Sequence, residues 1–346
     1  MLSLLGQLAR RIPYPRATVH KRALHPVVLF AGGRIARGLF RSHHDRSHVA
    51  LACGVLVGAA ALYVVAHVER APVTGRRRLM LVPERELAEA EELFCELEGD
   101  QRAEWLSDGL DIVEQEWHPR VAQVERIVRT LVHSNMELAQ LSERVHWHVA
   151  LLEPRRTQGR ELSDAERRDL ARKANACVMP TGGIYVHAGL FEVARTDDEL
   201  AAVLAHELAH VACSHTLEHA SVAYGLLHAS FSLAGLLGLE GFAAMAALKL
   251  ARSLVDNAFS RTQEREADFV GLAFVRGAAP HFDERAALSV WHAFEEADKG
   301  SFSLLPPPFR SHPESARRIH NFEQWLDEHD LRAYASARHG YIDTNS

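Results

Sequence analysis

Two histidines four residues apart, with a glutamate beside the first, stand at His206-Glu207-Leu208-Ala209-His210. On a helix, positions i and i+4 share one face, about 6 Å apart along the axis. Two imidazoles so placed reach a single Zn²⁺ at about 2.0–2.1 Å each. Zinc lowers the pKa of a bound water to about 7, and a neighbouring carboxylate such as Glu207 takes its proton. The pattern H-E-x-x-H therefore points to zinc-assisted hydrolysis of peptide bonds, with one Zn²⁺ per chain. Five letters with two free positions also arise by chance, so the rest of the chain has to supply a third ligand and a frame.

A catalytic zinc takes three protein ligands and keeps one position open. One known arrangement puts a third histidine six residues after the second, with glycine between. Here position 216 is Thr, position 213 is Cys, and His215 falls one place early, which excludes that class. The other common solution is a glutamate on a later helix. The stretch SRTQEREADFVGLAF, 260–274, offers Glu264 and Asp268 at i, i+4. One of the pair can ligate the metal while the other holds a ligand histidine by a hydrogen bond to its far nitrogen. Glu266 is close by, and spacing alone does not choose between Glu264 and Glu266.

The elements that must position these groups are legible around them. Thr196-Asp197-Asp198-Glu199 is a capping box opening the motif helix. Leu200, Leu204, Leu208 and Val211 form a stripe that anchors this helix to the core, leaving His206 and His210 facing outward into a cleft. ACVMPTGGIYVHAGL, 176–190, reads as strand, turn, strand, and Trp147, Val149 and Leu151 alternate as in a strand. Residues 84–145 read mainly as helix, with core stripes at Leu87, Ala90, Leu93 and Leu97 and at Val121, Val124, Ile127, Val128 and Leu131. Residues 153–172 are a polar connection. The apolar stretch 222–251 reads as buried or partly membrane-facing helices. A second capping box at Ser260–Gln263 opens the helix carrying Glu264, and a helix over 314–328 closes the chain after SLLPPPFRSHP.

Charge is unevenly distributed. Residues 1–82 hold thirteen Lys/Arg against two acids, Asp45 and Glu69, while 83–346 hold 26 bases and 43 acids. Residues 1–45 are Arg-rich and carry no acid before Asp45, as in a mitochondrial targeting leader. Residues 49–66, VALACGVLVGAAALYVVA, are uncharged; 18 residues at about 1.5 Å each approach the ~30 Å hydrocarbon core. A transmembrane helix over 48–67 is expected, and Gly54 and Gly58 can let two such helices pack into a homo-oligomer. Basic residues flank the run on both sides, so positive-inside counting does not fix its orientation. The body has no basic run interleaved with aromatics, which argues against nucleic acid as a partner. Cys53, Cys95, Cys177 and Cys213 form no C-x-x-C pair and read as single buried thiols.

HELAHVACSH followed by EREAD resembles the integral-membrane gluzincin peptidases that include HtpX and the CAAX prenyl proteases. The resemblance covers about residues 72–325. It implies that Glu264, completed by Ala267-Asp268, is the third zinc ligand and that Glu266 is out of register. His215 becomes a family marker, a structural hydrogen-bonder near the end of the motif helix. His312-Pro313, with Arg318-Ile319 six residues on, also resembles the family, and His312 is expected to stabilise the oxyanion. PVTGRRRLML after a span, NACVMPTGGIYVHAGL and the basic leader look like the mitochondrial inner-membrane branch, named for activity overlapping that of the m-AAA protease. Cys177 stands where that branch usually has an aromatic residue, and the segment between the two zinc helices has no recognisable match. The implied fold is α+β, mainly α-helical: a gluzincin-type metalloprotease domain over 72–330, with a small β-sheet beside the zinc helix, an N-terminal transmembrane helix, and a tail over 331–346. The implied activity is a membrane-anchored zinc metalloendopeptidase in inner-membrane quality control, cutting membrane-anchored proteins, its catalytic domain in the intermembrane space. The strand edge IYVHAGL would bind extended substrate. The alternatives are the same chemistry in a bacterial or endoplasmic-reticulum membrane, or a non-catalytic membrane adaptor that keeps the fold.

Overall fold

The computed structural model describes residues 62–81, 91–155, 174–222, 261–299 and 315–327, with Gly58 and Ser163 as isolated positions. The leader, most of the expected span including Gly54, residues 223–260 with all but the first residue of the apolar stretch 222–251, His312 and the 331–346 tail lie outside the described residues. Among the described residues no helix is long and apolar enough to cross a membrane.

The chain is mostly helical, with two small sheets. β1 (Val68–Arg70) and β2 (Arg77–Leu79) form an antiparallel ribbon, Glu69 opposite Arg78. The expected turn and strand at 72–83 are there, and β1 is an addition that sequence patterning did not reveal. α1 (Glu91–Ser107) leads into β3 (Leu110–Val113), a strand inside the stretch expected to be helical. β3 exists because it pairs antiparallel with β4 (His148–Pro154), forty residues on, a partner that local propensity cannot report.

α2 (Pro119–Ser134) starts on a proline, whose missing N–H is harmless in the first turn. Its stripe Val121, Val124, Ile127, Val128 and Leu131 is buried throughout, as the 3.6-residue spacing predicts. α3 (Met136–Leu141) follows. β5 (Ala176–Val178) and β6 (Gly183–His187) form the expected hairpin, turning at Gly182 with φ of 101°. A Cβ at Gly182 would lie 2.4 Å from the His146 carbonyl oxygen, so glycine is required twice over.

The second sheet has the order β3-β4-β6-β5, with β4 and β6 parallel and the other pairs antiparallel. Both faces are covered. Val149, Leu151, Ile184 and Val186 join the main core, while Ala150, Leu152 and Tyr185 pack with Phe94 and Trp105 of α1. This is why β4 carries a continuous apolar run as well as the alternation that marked it as a strand. After a short α4 (Leu190–Val193) comes the motif helix α5 (Asp197–Ala212). Helices follow over 215–222 (α6) and 261–277 (α7), then α8 (Ala286–Lys299) and α9 (Ser315–Leu326).

Candidate active site

α5 begins as the sequence predicts. Glu199 N donates to Thr196 Oγ1 at 3.1 Å, and the Glu199 carboxylate accepts from Thr196 N at 3.2 Å and Arg195 N at 2.8 Å. The stripe Leu200, Leu204, Leu208 is fully buried. The expectation that the histidines face outward is corrected: His206 is 2% exposed and Glu207 7%. The cause is α7, which crosses the motif helix at Gly271. A Cβ there would stand 2.9 Å from both the N and Cα of His206, so the absent side chain is what lets the two backbones meet.

That crossing brings three groups together. His206 Nε2 and His210 Nε2 are 3.1 Å apart, and the Glu264 carboxylate lies 3.5 Å from each. Their ligand atoms fall within 4.8 Å of one another. Two imidazole lone pairs and a carboxylate converging in a buried site repel unless they share a cation, so this donor set fits zinc. Burial opposes a positive charge on His206, yet hydrogen bonds to Asp268 and Glu264 prevail and raise its pKa to about 9. The cradle favours a cation. Of the two acids that spacing left open, Glu264 is the one that joins the histidines, and Glu266 points elsewhere.

Each histidine is held from behind. His206 Nδ1 is 3.0 Å from Asp268 Oδ1. Asp268 in turn accepts from Arg318 through Nη2 at 2.5 Å and Nε at 2.8 Å, and Arg318 lies 3.7 Å over the Trp291 ring. His210 Nδ1 is 2.9 Å from His215 Nδ1, and His215 Nε2 is 3.0 Å from Glu266 Oε2. His215 does not extend the motif helix. α5 ends at Ala212 with Cys213 as its cap, Ser214 takes a left-handed φ of 59°, and His215 opens the next helix, folded back toward His210.

Cys213, His215 and Glu266 also lie within 4.8 Å of one another, all buried. They do not read as a second metal site. Both His215 nitrogens are engaged, burial holds the Cys213 thiol well above its ordinary pKa, and the Arg76 guanidinium already neutralises Glu266 at 2.6 Å. Of the other thiols expected to be buried, Cys95 is exposed and Cys177 half-buried.

β5 packs against α5, the helix that carries Glu207. Burial pushes the Cys177 thiol up to about 12, and the Glu207 charge adds to the shift. IYVHAGL was expected to supply the strand edge, but β6 lies between β4 and β5. The edge next to α5 is β5 itself. Asn175 O accepts from His187 N and Met179 N donates to Gly183 O, so residues 175, 177 and 179 bond inward to β6. By antiparallel alternation the main-chain groups of Ala176 and Val178 point outward, and among the described residues no strand pairs with them.

A family model described as Peptidase family M48 matches residues 122–326, a span that contains the histidines, Glu264, Asp268 and Arg318. The chain belongs to that family. As an M48 member it is a zinc metalloendopeptidase, of the type that bears the name OMA1. It is 27% identical over 286 residues to the mitochondrial metalloendopeptidase OMA1 of Schizosaccharomyces pombe, covering 82% of this chain and 74% of that one. It is 31% identical over 306 residues to the mitochondrial metalloendopeptidase OMA1 of Danio rerio, covering 85% of this chain but 58% of the fish protein. The metalloprotease LoiP of Escherichia coli is 33% identical over 171 residues, 47% of this chain and 63% of that one.

Sequence reasoning gave no role to several residues that surround this site. Arg318 was noted only beside Ile319, and Arg76 only within PVTGRRRLML. Glu218 and the β5 edge were not noted. Each depends on contacts between separate elements: Arg318 with Asp268 fifty residues back, Arg76 with Glu218 and Glu266 142 and 190 residues on, and β5 with α5. No local spacing encodes those.

Proposed function

We propose that this chain is a membrane-anchored mitochondrial endopeptidase that hydrolyses extended segments of membrane-anchored proteins, as part of inner-membrane quality control. The observation that carries the reading is the convergence of His206, His210 and Glu264 beside Glu207, with the edge of β5, which no strand pairs among the described residues, packed on the same helix. His206, His210 and Glu264 hold the metal, one ion per chain. When bound, zinc supplies a Lewis acid that polarises the scissile carbonyl and makes water a nucleophile near neutral pH.

Glu207 accepts the proton of the attacking water and returns it to the leaving amine, as a buried carboxylate beside the metal is suited to do. Ala176 and Val178 bind the substrate backbone as an added strand. Main-chain bonding tolerates many sequences, so selectivity would come from access. His312, outside the described residues, is assigned to the oxyanion on resemblance alone. The span over 48–67 ties the domain over 72–330 to the lipid bilayer. The leader over 1–45 carries it to the inner membrane, with the catalytic domain in the intermembrane space. Leu62, Tyr63, Val64 and Val65, all exposed, fit the end of a lipid-facing helix. Gly54 and Gly58 are the proposed homo-oligomer contact.

The test is to compare newly formed protein termini in mitochondria carrying the chain or its Glu207→Gln variant, with tagged protein followed with and without residues 1–44. The reading requires membrane-protein termini that depend on Glu207, and mislocalisation of the shortened chain. Identical termini in both, or unaltered mitochondrial import after the deletion, contradicts it.

A further inference from the structure

The two histidines of the motif are supported by chains of different length. Asp268 reaches His206 directly. Support for His210 passes through a second imidazole, His215, then Glu266, and ends on Arg76. Arg76 donates from Nε to Glu266 at 2.6 Å and from Nη1 and Nη2 to Glu218 at 3.1 and 2.6 Å. Thr74 Oγ1 donates to the other Glu266 oxygen. Arg76, His215, Glu218 and Glu266 are all buried. Thr74 and Arg76 lie before the residues that the family model matches, on the loop between β1 and β2, eight and ten residues after the uncharged run 49–66.

Protons can be placed along this chain in one consistent way. His210 uses Nε2 toward Glu264 and His206, so its Nδ1 carries hydrogen and donates to His215 Nδ1. His215 then carries its hydrogen on Nε2 and donates to Glu266. Glu266 must be an acceptor at both oxygens, hence ionised. Donors from His215 and Arg76 meet one of its oxygens and Thr74 the other. A buried carboxylate kept ionised by an arginine fixes the tautomer and ring plane of each imidazole before it.

We infer that Glu266 and Arg76 are positioning residues for zinc binding: acting through His215, they hold His210 in its metal-binding tautomer and so make the metal site depend on the β1–β2 ribbon. The inference rests on the reading of His206, His210 and Glu264 as the zinc ligands. It implies that displacing the ribbon from the domain would loosen the metal without touching any ligand.

The experiment is a double-mutant cycle on the purified full chain, reading zinc affinity by chelator competition and the visible spectrum of the cobalt-substituted protein. Glu266→Gln and His215→Phe should each weaken zinc binding by about 10–100-fold and shift the cobalt bands. The double variant should bind no more weakly than His215→Phe alone, because the effect of Glu266 travels through His215. A role confined to stability would leave affinity and spectrum of the folded protein unchanged, and that result overturns the inference. So would effects of the two changes that multiply in full. If Glu266→Gln does not fold, Arg76→Lys is read in the same cycle; lysine keeps the charge but cannot bridge Glu218 and Glu266 through separate nitrogens, so weakening is again expected only when His215 is present. His210→Ala is the control for the underlying reading: zinc affinity unchanged in that variant refutes the ligand assignment itself, whatever the cycle shows.

Discussion

Arg318 grips the Asp268 carboxylate through two nitrogens, at 2.5 and 2.8 Å, while Asp268 stands 3.0 Å from the far nitrogen of His206. The last described helix thus reaches a motif more than one hundred residues earlier. Asp268→Asn keeps the shape but loses the charge that orients His206, and zinc affinity should fall about 10–100-fold. Arg318→Lys should fall nearly as far, since lysine neither forks onto a carboxylate nor stacks on Trp291 in the same way. Chelator competition checks both. Wild-type affinity in either variant would remove this pair from the site.

The contact at Gly271 predicts a stability effect. In Gly271→Ala the new methyl meets the backbone of His206 and Ala205, neither of which can swing aside. Overpacking of this kind typically costs about 1–3 kcal/mol. The two helices should separate, so the variant should lose zinc affinity as well as thermal stability. A melting temperature equal to wild type would mean that the helices do not cross so closely.

The capping box makes a local prediction. Thr196→Ala removes the acceptor for Glu199 N, and loss of such a cap costs about 0.5–2 kcal/mol. Urea unfolding should show the loss with cleavage per folded molecule unchanged, because the cap is nearly three turns from His206.

His187, at the end of β6 and edge-on to Trp105, gives a pH dependence. Burial lowers its pKa from 6.5 to about 4, so it stays neutral in the folded chain where the unfolded chain would take a proton. Between pH 6.5 and 4 the unfolded state therefore binds more protons, and stability falls as pH falls through that window. His187→Phe keeps a ring against Trp105 and takes no proton. Unfolding midpoints at pH 7.5 and 5 should differ less for the variant than for wild type; equal differences would show that His187 does not contribute.

What the sequence revealed and what it hid divide along one physical line. The α2 stripe, the capping box of α5, the β5–β6 hairpin and the i, i+4 histidines depend on neighbours within a few residues, and periodicity reads them directly. β3 was read as helix because its identity comes from β4. The substrate edge was assigned to β6 because only sheet order shows that β6 is interior. His206 was expected to face a cleft because α7 was not yet known to cover it at Gly271. Glu264 and Glu266 were indistinguishable by spacing, and what separates them is three-dimensional: one meets His206 and His210, the other meets His215 and Arg76. Most of the expected transmembrane helix, and His312, lie outside the described residues.

The central claim is that Glu207 moves the proton in a reaction at a zinc held by its neighbours. The direct measurement is metal content together with cleavage of an unfolded protein substrate, on purified full-length wild type and Glu207→Gln. The account predicts about one zinc per chain in both, and a loss of cleavage of at least about 100-fold in the variant, the low end for removing a general base. Cleavage by Glu207→Gln at the wild-type rate, or active wild-type protein carrying no zinc, would contradict it.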